Sequence, residues 1–152
     1  MVKNQKKIAS LCIVRDLSDN TFLMVENHRG INAGCINFPG GKQEIGENIV
    51  QCAIRETYEE TGLTIKNPVE VGYLEFPTKD FYVFVFMSTE FSGTMRYNPV
   101  ENRAFWQDGN EIPYDRMRDD VRDFLPDILA GKYVKRRYIL DDDFHILEIV
   151  DL

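Results

Sequence analysis

Hydrophobic and polar residues alternate along the chain with two periods, and each period predicts one kind of element. Short apolar runs bounded by polar turn residues predict β-strands, whereas longer stretches with apolar residues three and four positions apart predict helices. The predicted strands are residues 8–15, 22–28, 69–76, 81–91, 103–106, 133–140 and 144–150. The predicted helices are residues 47–61, closed by Gly62, and residues 120–130, which Pro126 interrupts or kinks.

The order of these elements predicts a fold of the α/β (α+β) class, with a mixed sheet and helices packed against it. Residues 81–87 form the most apolar run in the chain and predict a central strand that is buried on both faces. A polar turn between residues 8–15 and 22–28 predicts a hairpin. Because no linker, repeat or low-complexity segment divides the chain, a single domain over residues 1–152 is expected.

Composition and charge exclude several classes of function. The 152 residues are 43% hydrophobic, enough for one core, and 25 acidic against 18 basic residues give a net charge of −7. A pI near 4.9 argues against binding duplex nucleic acid through a broad basic surface. Cys12, Cys35 and Cys52 form no CxxC pair, so neither a disulfide framework nor a zinc site is predicted. No run is long enough to span a membrane, and a cytoplasmic location is expected.

The predicted helix at residues 47–61 carries the strongest chemical signal. At about 100° per residue, Glu56, Glu59 and Glu60 fall within an arc of about 100°, and we expect all three to point outward together. The opposite side gathers the residues expected to be buried, which are Val50, Ile54, Thr57, Tyr58 and Thr61. Two carboxylates about 5 Å apart repel by about 1 kcal/mol in water and about 3 kcal/mol at an effective dielectric constant of 20. The acids form either a solvated face or a cation site, and oxygen-only ligands suit Mg²⁺ or Mn²⁺.

The residues around the glutamates favour a cation site. Gly40, Gly41 and Lys42 form a loop whose backbone can approach a metal or a phosphate closely, and the following helix N-terminus adds its positive dipole end. Arg55 is within reach of Glu59 and relieves part of the repulsion. One guanidinium cannot neutralise the whole cluster, so a further cation is expected.

Residues 41–63 resemble a complete Nudix box, in which Gly, Glu, Arg-Glu, Glu-Glu and Gly recur at fixed intervals. Thr57 is the one departure, since an aliphatic residue is usual at that place. The resemblance extends through the strand order to most of the chain. It implies an α/β/α sandwich and a Mg²⁺-dependent enzyme, with Mn²⁺ possible, that hydrolyses a nucleoside diphosphate linked to another group.

The resemblance also implies roles for individual residues. The expected metal ligands are Glu56, Glu59, Glu60, Glu101 and the carbonyl oxygen of Gly41, and the expected catalytic residues are Arg55, Glu59, Glu60 and Glu101. Arg55 either holds the metal-binding glutamates or forms a helix salt bridge without catalytic importance. Glu47 is either a metal or water contact or a favourable acid in the first helical turn. Glu101 completes the metal site, serves as base, or is a plain loop carboxylate.

Residues 37–42 are similar to the entry of the box in MutT-type enzymes, whose substrates are 8-oxo-dGTP and related oxidised purine triphosphates. In the animal branch of that group, residues at the places of Asn37, Asp119 and Asp120 hydrogen-bond the purine edge. Alternatively, the two aspartates are the N-cap and first-turn acid of the second helix. Arg118 departs from that branch, which has an aromatic-proline pair there. The expected substrate-binding residues are Asn37, Gly40, Lys42, Asp119 and Asp120.

Other contacts to the nucleotide are less specific. Phe38, Tyr73, Phe76 and Trp106 are candidates either for the base pocket or for the core, and Lys42 and Arg29 are candidates for phosphate contacts. A small-molecule nucleotide is the expected partner, without duplex nucleic acid or membrane. Both a monomer and a homodimer stay open.

Three functions are compatible with the sequence. The leading one is hydrolysis of 8-oxo-dGTP or a related nucleotide to the monophosphate and pyrophosphate, a step of nucleotide-pool sanitation and DNA repair. The second is a Nudix enzyme for a dinucleoside polyphosphate, nucleotide sugar, ADP-ribose or RNA 5′ end. The third is a non-catalytic nucleotide-binding regulator, and the intact set of glutamates counts against it.

Overall fold

The computed structural model describes residues 6–98 and 100–152, with only the backbone of Asn98. Within these residues the chain forms two α-helices and twelve strands. In chain order they are β1 (Lys7–Asp16), β2 (Thr21–Asn27), β3 (Ile36–Asn37), β4 (Gly40–Lys42), α1 (Ile49–Thr61), β5 (Leu63–Lys66), β6 (Val69–Phe76), β7 (Phe81–Ser88), β8 (Glu90–Gly93), β9 (Tyr97–Asn98), β10 (Asn102–Asp108), α2 (Asp119–Leu129), β11 (Val134–Leu140) and β12 (Ile146–Asp151). None of the helices in these residues is long and apolar enough to cross a membrane.

Ten of the strands form one mixed sheet. Its order is β12-β11-β6-β7-β1-β2-β10-β9, with β3 paired to β2 and β4 paired to β1. β1 runs parallel to β7, and β11 runs parallel to β6. β7 lies between β6 and β1, so the most apolar run of the chain is a central strand as predicted. β5 and β8 form a separate antiparallel pair.

The two helices cover opposite faces of this sheet. Alternate residues of a strand point to opposite faces. Ile13 of β1 belongs to one buried cluster with Val121 and Phe124 of α2, whereas Cys12 belongs to a second cluster with Ala53 of α1. The molecule is therefore an α/β/α sandwich, and the predicted fold class is confirmed.

Helix α1 begins two residues later than predicted because Asn48 caps it. The Asn48 side chain accepts the backbone N–H of Gln51, and the Gln51 side chain accepts the backbone N–H of Asn48. Together these bonds form a capping box. At the other end, Gly62 adopts a left-handed conformation with φ of 85° and donates its N–H to the carbonyl oxygen of Tyr58.

The buried face of α1 differs from the predicted one. Val50 and Tyr58 were expected to be buried but are 37% and 49% exposed. The buried residues are Cys52, Ala53, Thr57 and Thr61. Thr57 replaces the usual aliphatic residue of the box, and its hydroxyl donates to the carbonyl oxygen of Ala53 at 2.8 Å. Since that bond satisfies the hydroxyl within the helix, threonine can occupy a fully buried position here.

Two further elements differ in extent from the prediction. Residues 81–91 form two strands rather than one, because the chain leaves the large sheet after Ser88 and β8 pairs with β5. The Ser88 hydroxyl donates to the carbonyl oxygens of Lys66 and Glu90, and these bonds fix the bend. Helix α2 continues through Pro126 to Leu129, so the proline does not interrupt it.

Candidate active site

Strand β4 and helix α1 bring the glycine loop and the glutamates together. β4 pairs with β1, and a Cβ atom at Gly40 would stand 2.2 Å from the carbonyl oxygen of Ser10. Glycine is therefore needed for this close approach of two backbones. At Gly41, a Cβ atom would stand 2.4 to 2.6 Å from the carboxylate atoms of Glu56. The side chain of one predicted metal ligand thus lies directly against the backbone of another.

Arg55 is the centre of the ion pairs in this region. Its partners are the carboxylates of Glu44, Glu47, Glu56 and Glu59 and the carbonyl oxygen of Lys42. The guanidinium donates to Glu56 at 2.9 Å and to Glu59 at 3.0 Å. One cation therefore faces four carboxylates, and it links the glycine loop to the helix that carries the glutamates.

Glu47 contacts Arg55 more extensively than the sequence predicted. Both of its carboxylate oxygens accept bonds from Arg55, at 2.8 and 2.9 Å. This pairing, together with a bond from the backbone N–H of Glu44, lowers the pKa of Glu47 to about 2. Glu47 precedes α1, and the first turn of that helix contains no acid. The prediction of a first-turn acid is therefore wrong, and Glu47 instead orients Arg55.

Burial distinguishes the three glutamates of the helix. Burial and, to a smaller extent, the charge of Glu56 together raise the pKa of Glu60 to about 8, although the backbone N–H of Gly40 opposes the shift. Burial also raises the pKa of Glu56, and Arg55 opposes that shift. Glu59 is exposed, whereas Glu56 and Glu60 are half-buried. The prediction that all three point outward together is therefore wrong, because α1 packs this side against β4.

The donor set of this region fits a hard divalent cation. The predicted ligands are carboxylate and carbonyl oxygens, which Mg²⁺ and Mn²⁺ prefer. Because Gly41 has no side chain, the carboxylate of Glu56 can lie directly beside its backbone. Across residues 6–98 and 100–152, however, no three His, Cys, Asp or Glu side chains are grouped closely enough to hold a metal ion as they stand. Glu56 and Glu59 pair with Arg55, so a cation would compete with Arg55 for these two carboxylates.

Two further predicted site residues are Glu101, which immediately precedes β10, and Lys42, which ends β4. Glu101 forms an ion pair with Arg29 at 2.5 Å, and both side chains are more than half exposed. The carbonyl oxygen of Glu101 also accepts the backbone N–H of His28. These contacts join Glu101 to the segment that follows β2. Lys42 is exposed, and its carbonyl oxygen accepts a bond from Arg55.

A cavity of about 160 Å³ adjoins the glycine loop. Four of the residues predicted to bind substrate or metal line it, namely Asn37, Gly40, Gly41 and Asp120. Asp120 is buried, whereas Asp119 is exposed and is not among the residues that line the cavity. The structure therefore separates the acidic pair, with one carboxyl group at the cavity and the other in solvent.

Helix α2 places this acidic pair in its first turn. Arg118, not an aspartate, occupies the N-cap position, so the predicted N-cap role for the pair is wrong. The first-turn position suits both acids, since their charges interact favourably with the helix dipole. Arg118 donates from Nε to Asp120 at 3.1 Å, and its guanidinium carbon lies 4.9 Å from the centre of the Phe76 ring.

A second cavity of about 500 Å³ shares Asn37 and Arg118 with the first. Ile31 and Cys35, from the segment between β2 and β3, form part of its lining. Phe144, in the turn between β11 and β12, forms another part. A ligand in the first cavity therefore has additional space beside Asn37 and Arg118.

The aromatic candidates divide between the cavity and the core. Phe76 lines the first cavity. The others pack in the core or beside it, with Phe38 against Phe22, Tyr73 against Phe84 and Trp106 against Phe91. Ser10 and Leu11 of β1 also line the cavity, and the sequence interpretation missed them because a buried strand carries no distinctive polar pattern.

Comparison with protein-family models matches residues 5–128 to the NUDIX domain. The chain belongs to the NUDIX family. An oxidized purine nucleoside triphosphate hydrolase from Danio rerio is 33% identical over 129 residues, which cover 80% of each chain. An ADP-ribose pyrophosphatase from Methanocaldococcus jannaschii is 29% identical over 118 residues, 75% of this chain and 69% of that one. The crystal structure of a MutT protein from Bacillus halodurans matches with a TM-score of 0.80 at 28% identity, covering 95% of this chain and 96% of that one.

Membership of the NUDIX family makes the chain a pyrophosphohydrolase that acts on small nucleotide substrates. NUDIX hydrolases generally use a divalent metal, in agreement with the oxygen donors gathered between β4 and α1. The named relatives act on different nucleotides, so they establish the class of reaction rather than the base.

Proposed function

We propose that the protein hydrolyses a purine nucleoside triphosphate to the monophosphate and pyrophosphate, with Mg²⁺ as cofactor and an oxidised purine such as that of 8-oxo-dGTP as the base. One observation carries the proposal. The cavity beside the glycine loop is lined both by Gly41, which contacts the carboxylate of Glu56, and by the polar pair Asn37 and Asp120. A ligand that carries both a diphosphate and a base could therefore bring the diphosphate to Gly41 and the base to Asn37 and Asp120. Similarity to the oxidized purine nucleoside triphosphate hydrolase of Danio rerio supports this choice of substrate.

The chemistry follows from the residues around β4 and α1. Mg²⁺ held by Glu56, Glu59, Glu60, Glu101 and the carbonyl oxygen of Gly41 would neutralise the diphosphate and acidify a water molecule. In the hydrolysis itself, the oxygen of a water molecule would form a bond to phosphorus while the bridging P–O bond breaks, a carboxylate of the site would accept the proton, and pyrophosphate would leave. Arg55 keeps Glu56 and Glu59 in place through hydrogen bonds at 2.9 and 3.0 Å.

Asn37 and Asp120 account for recognition of the base. An amide and a carboxyl group together offer donors and acceptors that distinguish one base edge from another. We assign Gly40 and Lys42 to the phosphate end of this arrangement, where the ammonium group of Lys42 suits an anion. Asp119 is exposed, so we assign the base contact to Asp120 in preference to Asp119.

A substrate panel tests the proposal. The purified protein is incubated with Mg²⁺ and 8-oxo-dGTP, dGTP, dATP, diadenosine tetraphosphate or ADP-ribose, and the products are separated by chromatography. We expect the monophosphate and pyrophosphate from 8-oxo-dGTP, at the highest kcat/KM of the panel and only with divalent metal. Preferential cleavage of ADP-ribose or the dinucleotide would refute the substrate assignment. No turnover of any compound would favour a nucleotide-binding regulator.

Variants of the helix test the metal assignment. Glu59→Gln and Glu60→Gln should each lower kcat by about 100-fold or more, because each removes a charge that holds the cation. Glu148→Gln is a matched control, since Glu148 is an exposed acid on β12. Both site variants should keep the far-ultraviolet circular dichroism of the parent protein. Hydrolysis near the parent rate by both variants at saturating Mg²⁺ would contradict the assignment.

A further inference from the structure

The thiol of Cys52 lies where helix α1 packs against strand β4. Cys52 is fully buried, and its Sγ donates to the carbonyl oxygen of Gly41 at 3.4 Å. The same sulfur is 3.4 Å from the hydroxyl oxygen of Ser10 on β1. Because a carbonyl oxygen only accepts, the thiol proton points to Gly41, and the Ser10 hydroxyl donates to the sulfur. One side chain of α1 is therefore hydrogen-bonded to two strands.

Cys52 begins a stripe on α1 that also carries two of the expected metal ligands. Residues four positions apart lie on the same side of a helix, so Cys52, Glu56 and Glu60 face β4 together. The carboxylate of Glu56 lies against Gly41, where a Cβ atom would stand 2.4 Å from its carboxyl carbon. The carboxylate of Glu60 accepts the backbone N–H of Gly40. All three side chains of the stripe thus contact the two glycines of β4.

The contact of Cys52 with β4 does not depend on the carboxylates that a cation would bind. Arg55 also joins α1 to β4, through an exposed bond to a backbone carbonyl oxygen. A cation held by Glu56 and Glu59 would compete with Arg55 for its partners. The bond from Cys52 involves no carboxylate. Since a carbonyl oxygen has two lone pairs, that of Gly41 can accept the thiol without being closed to a cation.

The packing of α1 on β4 determines the shape of the metal site, because the expected ligands come from both elements. The carbonyl oxygen of Gly41 belongs to β4 and the carboxylates of Glu56 and Glu60 belong to α1. With the metal site of the proposed function as its basis, we propose that Cys52 is a positioning residue that holds Gly41 at the distance from these glutamates at which both elements bind one divalent cation. Groups that hold metal ligands in place typically contribute about 10-fold to 100-fold to metal affinity.

The test measures binding of Mn²⁺ alone, through the loss of the electron paramagnetic resonance signal of the free ion. Cys52→Ala removes the thiol, and Cys52→Ser keeps a hydrogen-bond donor. Cys12→Ala is the matched control, because Cys12 is equally buried and its thiol contacts the same helix at Thr57, outside the stripe. Each alanine variant loses one buried sulfur atom, so the two should lose similar stability in urea unfolding. They should differ only in metal binding.

Cys52→Ala should raise the Kd for Mn²⁺ by about tenfold, whereas Cys12→Ala should stay within about twofold of the parent value. Cys52→Ser should recover most of the loss, because its hydroxyl can donate to Gly41. The Mn²⁺ concentration that gives half-maximal hydrolysis should rise in Cys52→Ala by the same factor as the Kd. Should Cys52→Ala not fold, as judged by circular dichroism, Cys52→Val replaces it, since valine fills the space without a donor.

Three results would overturn the proposal. The first is a Kd for Cys52→Ala within about twofold of the parent value. The second is equal weakening by Cys12→Ala, which would assign the effect to lost packing. The third is no recovery by Cys52→Ser, which would assign the effect to the volume of the sulfur rather than to its hydrogen bond.

Measurement without nucleotide separates this inference from the proposed function. If no nucleotide of the substrate panel is hydrolysed but Cys52→Ala weakens Mn²⁺ binding by about tenfold, the proposed function fails and the positioning role survives. If 8-oxo-dGTP is cleaved preferentially and the Kd for Mn²⁺ does not respond to Cys52→Ala, the positioning role alone is refuted.

Discussion

Replacement of Gly41 by alanine tests directly whether the contact between the glycine loop and helix α1 matters for catalysis. The new methyl carbon would stand 2.4 Å from the carboxyl carbon of Glu56, whereas ordinary contact begins at 3.4 Å. Gly41 does not have a positive φ, so alanine adds no backbone strain there. The obstructing atoms are the end of a flexible side chain, and the carboxylate of Glu56 can move away.

The expected consequence is loss of activity with little loss of stability. The carboxylate must move by about 1 Å to restore ordinary contact, and a misplacement of about 1 Å costs about 100-fold in rate. We therefore expect kcat/KM of Gly41→Ala to fall by about 100-fold, which corresponds to about 2.7 kcal/mol of transition-state stabilisation. The free energy of unfolding should change by less than about 1 kcal/mol, because no backbone contact is lost.

Gly46→Ala is the matched control, because it should strain the backbone without obstructing a neighbouring side chain, whereas Gly41→Ala should obstruct Glu56 without straining the backbone. Gly46 has φ of +87° and nothing within 4 Å of an added Cβ atom, so alanine there is strained but not obstructed. This variant should lose about 1 kcal/mol of stability and keep its activity. Both variants are compared by hydrolysis at saturating Mg²⁺ and by urea unfolding. Activity of Gly41→Ala within about threefold of the parent value would show that the position of Glu56 against the loop is unimportant.

Three further changes have definite expected outcomes. Glu60→Gln should melt at the temperature of the parent protein or above it, because burial disfavours a charged carboxylate at this position but not a neutral amide. A clearly lower melting temperature would contradict this prediction. Arg136→Met should lower the free energy of unfolding in urea by about 2 kcal/mol, since it removes the arginine that pairs with Asp123, Asp127 and Asp151, against less than about 0.5 kcal/mol for the exposed Arg122→Met. Arg136 also lowers the pKa of Asp127, so the stability that this ion pair contributes is present above the ordinary pKa of 3.8 and is lost as the pH falls below it. The difference in unfolding free energy between the parent protein and Arg136→Met should therefore become smaller in acid. A difference that does not change with pH would show that the ion pair is not its source. Thr57→Val should change the unfolding free energy by less than about 1 kcal/mol, as the carbonyl that accepts the threonine hydroxyl also accepts a helical N–H, and a larger loss would show that the hydroxyl is needed.

Long periodic elements could be predicted from the sequence because their signal extends over many residues. The central strand, the helix with the glutamates and its closing Gly62 agree with the structure. The short strands β3, β4, β5 and β9 have two to four residues each, too few for a period to be visible. Their pairing depends on contacts with distant strands. The sequence accordingly predicts a loop where β4 lies, although the pairing of β4 with β1 places Gly41 against Glu56.

The candidate site could be predicted in its residue types but not in its pairings. The spacing of the glutamates required some cation nearby, and Arg55 was an evident neighbour of Glu59. Nothing in the spacing indicated that Glu47, eight positions before Arg55, would hold its guanidinium with both oxygens. Similarly, Arg118 and Asp120 are close in sequence, but Phe76 is distant in sequence and lies beside Arg118 only because the sheet places β6 there. Such contacts are set by tertiary packing, which local patterns do not encode.

The ion pairs of Arg55 and Arg118 give the two ends of the site different net charges. Arg55 faces four carboxylates and can neutralise only one charge, so the region between β4 and α1 stays negative and attracts divalent cations. Arg118 pairs with a single buried carboxylate, and the cavity around Asp120 is close to neutral. A triphosphate accompanied by Mg²⁺ suits the first end, and an uncharged base suits the second. The charge distribution therefore supports the proposed function, in which the phosphates of a nucleotide lie towards Gly41 and its base lies towards Asp120.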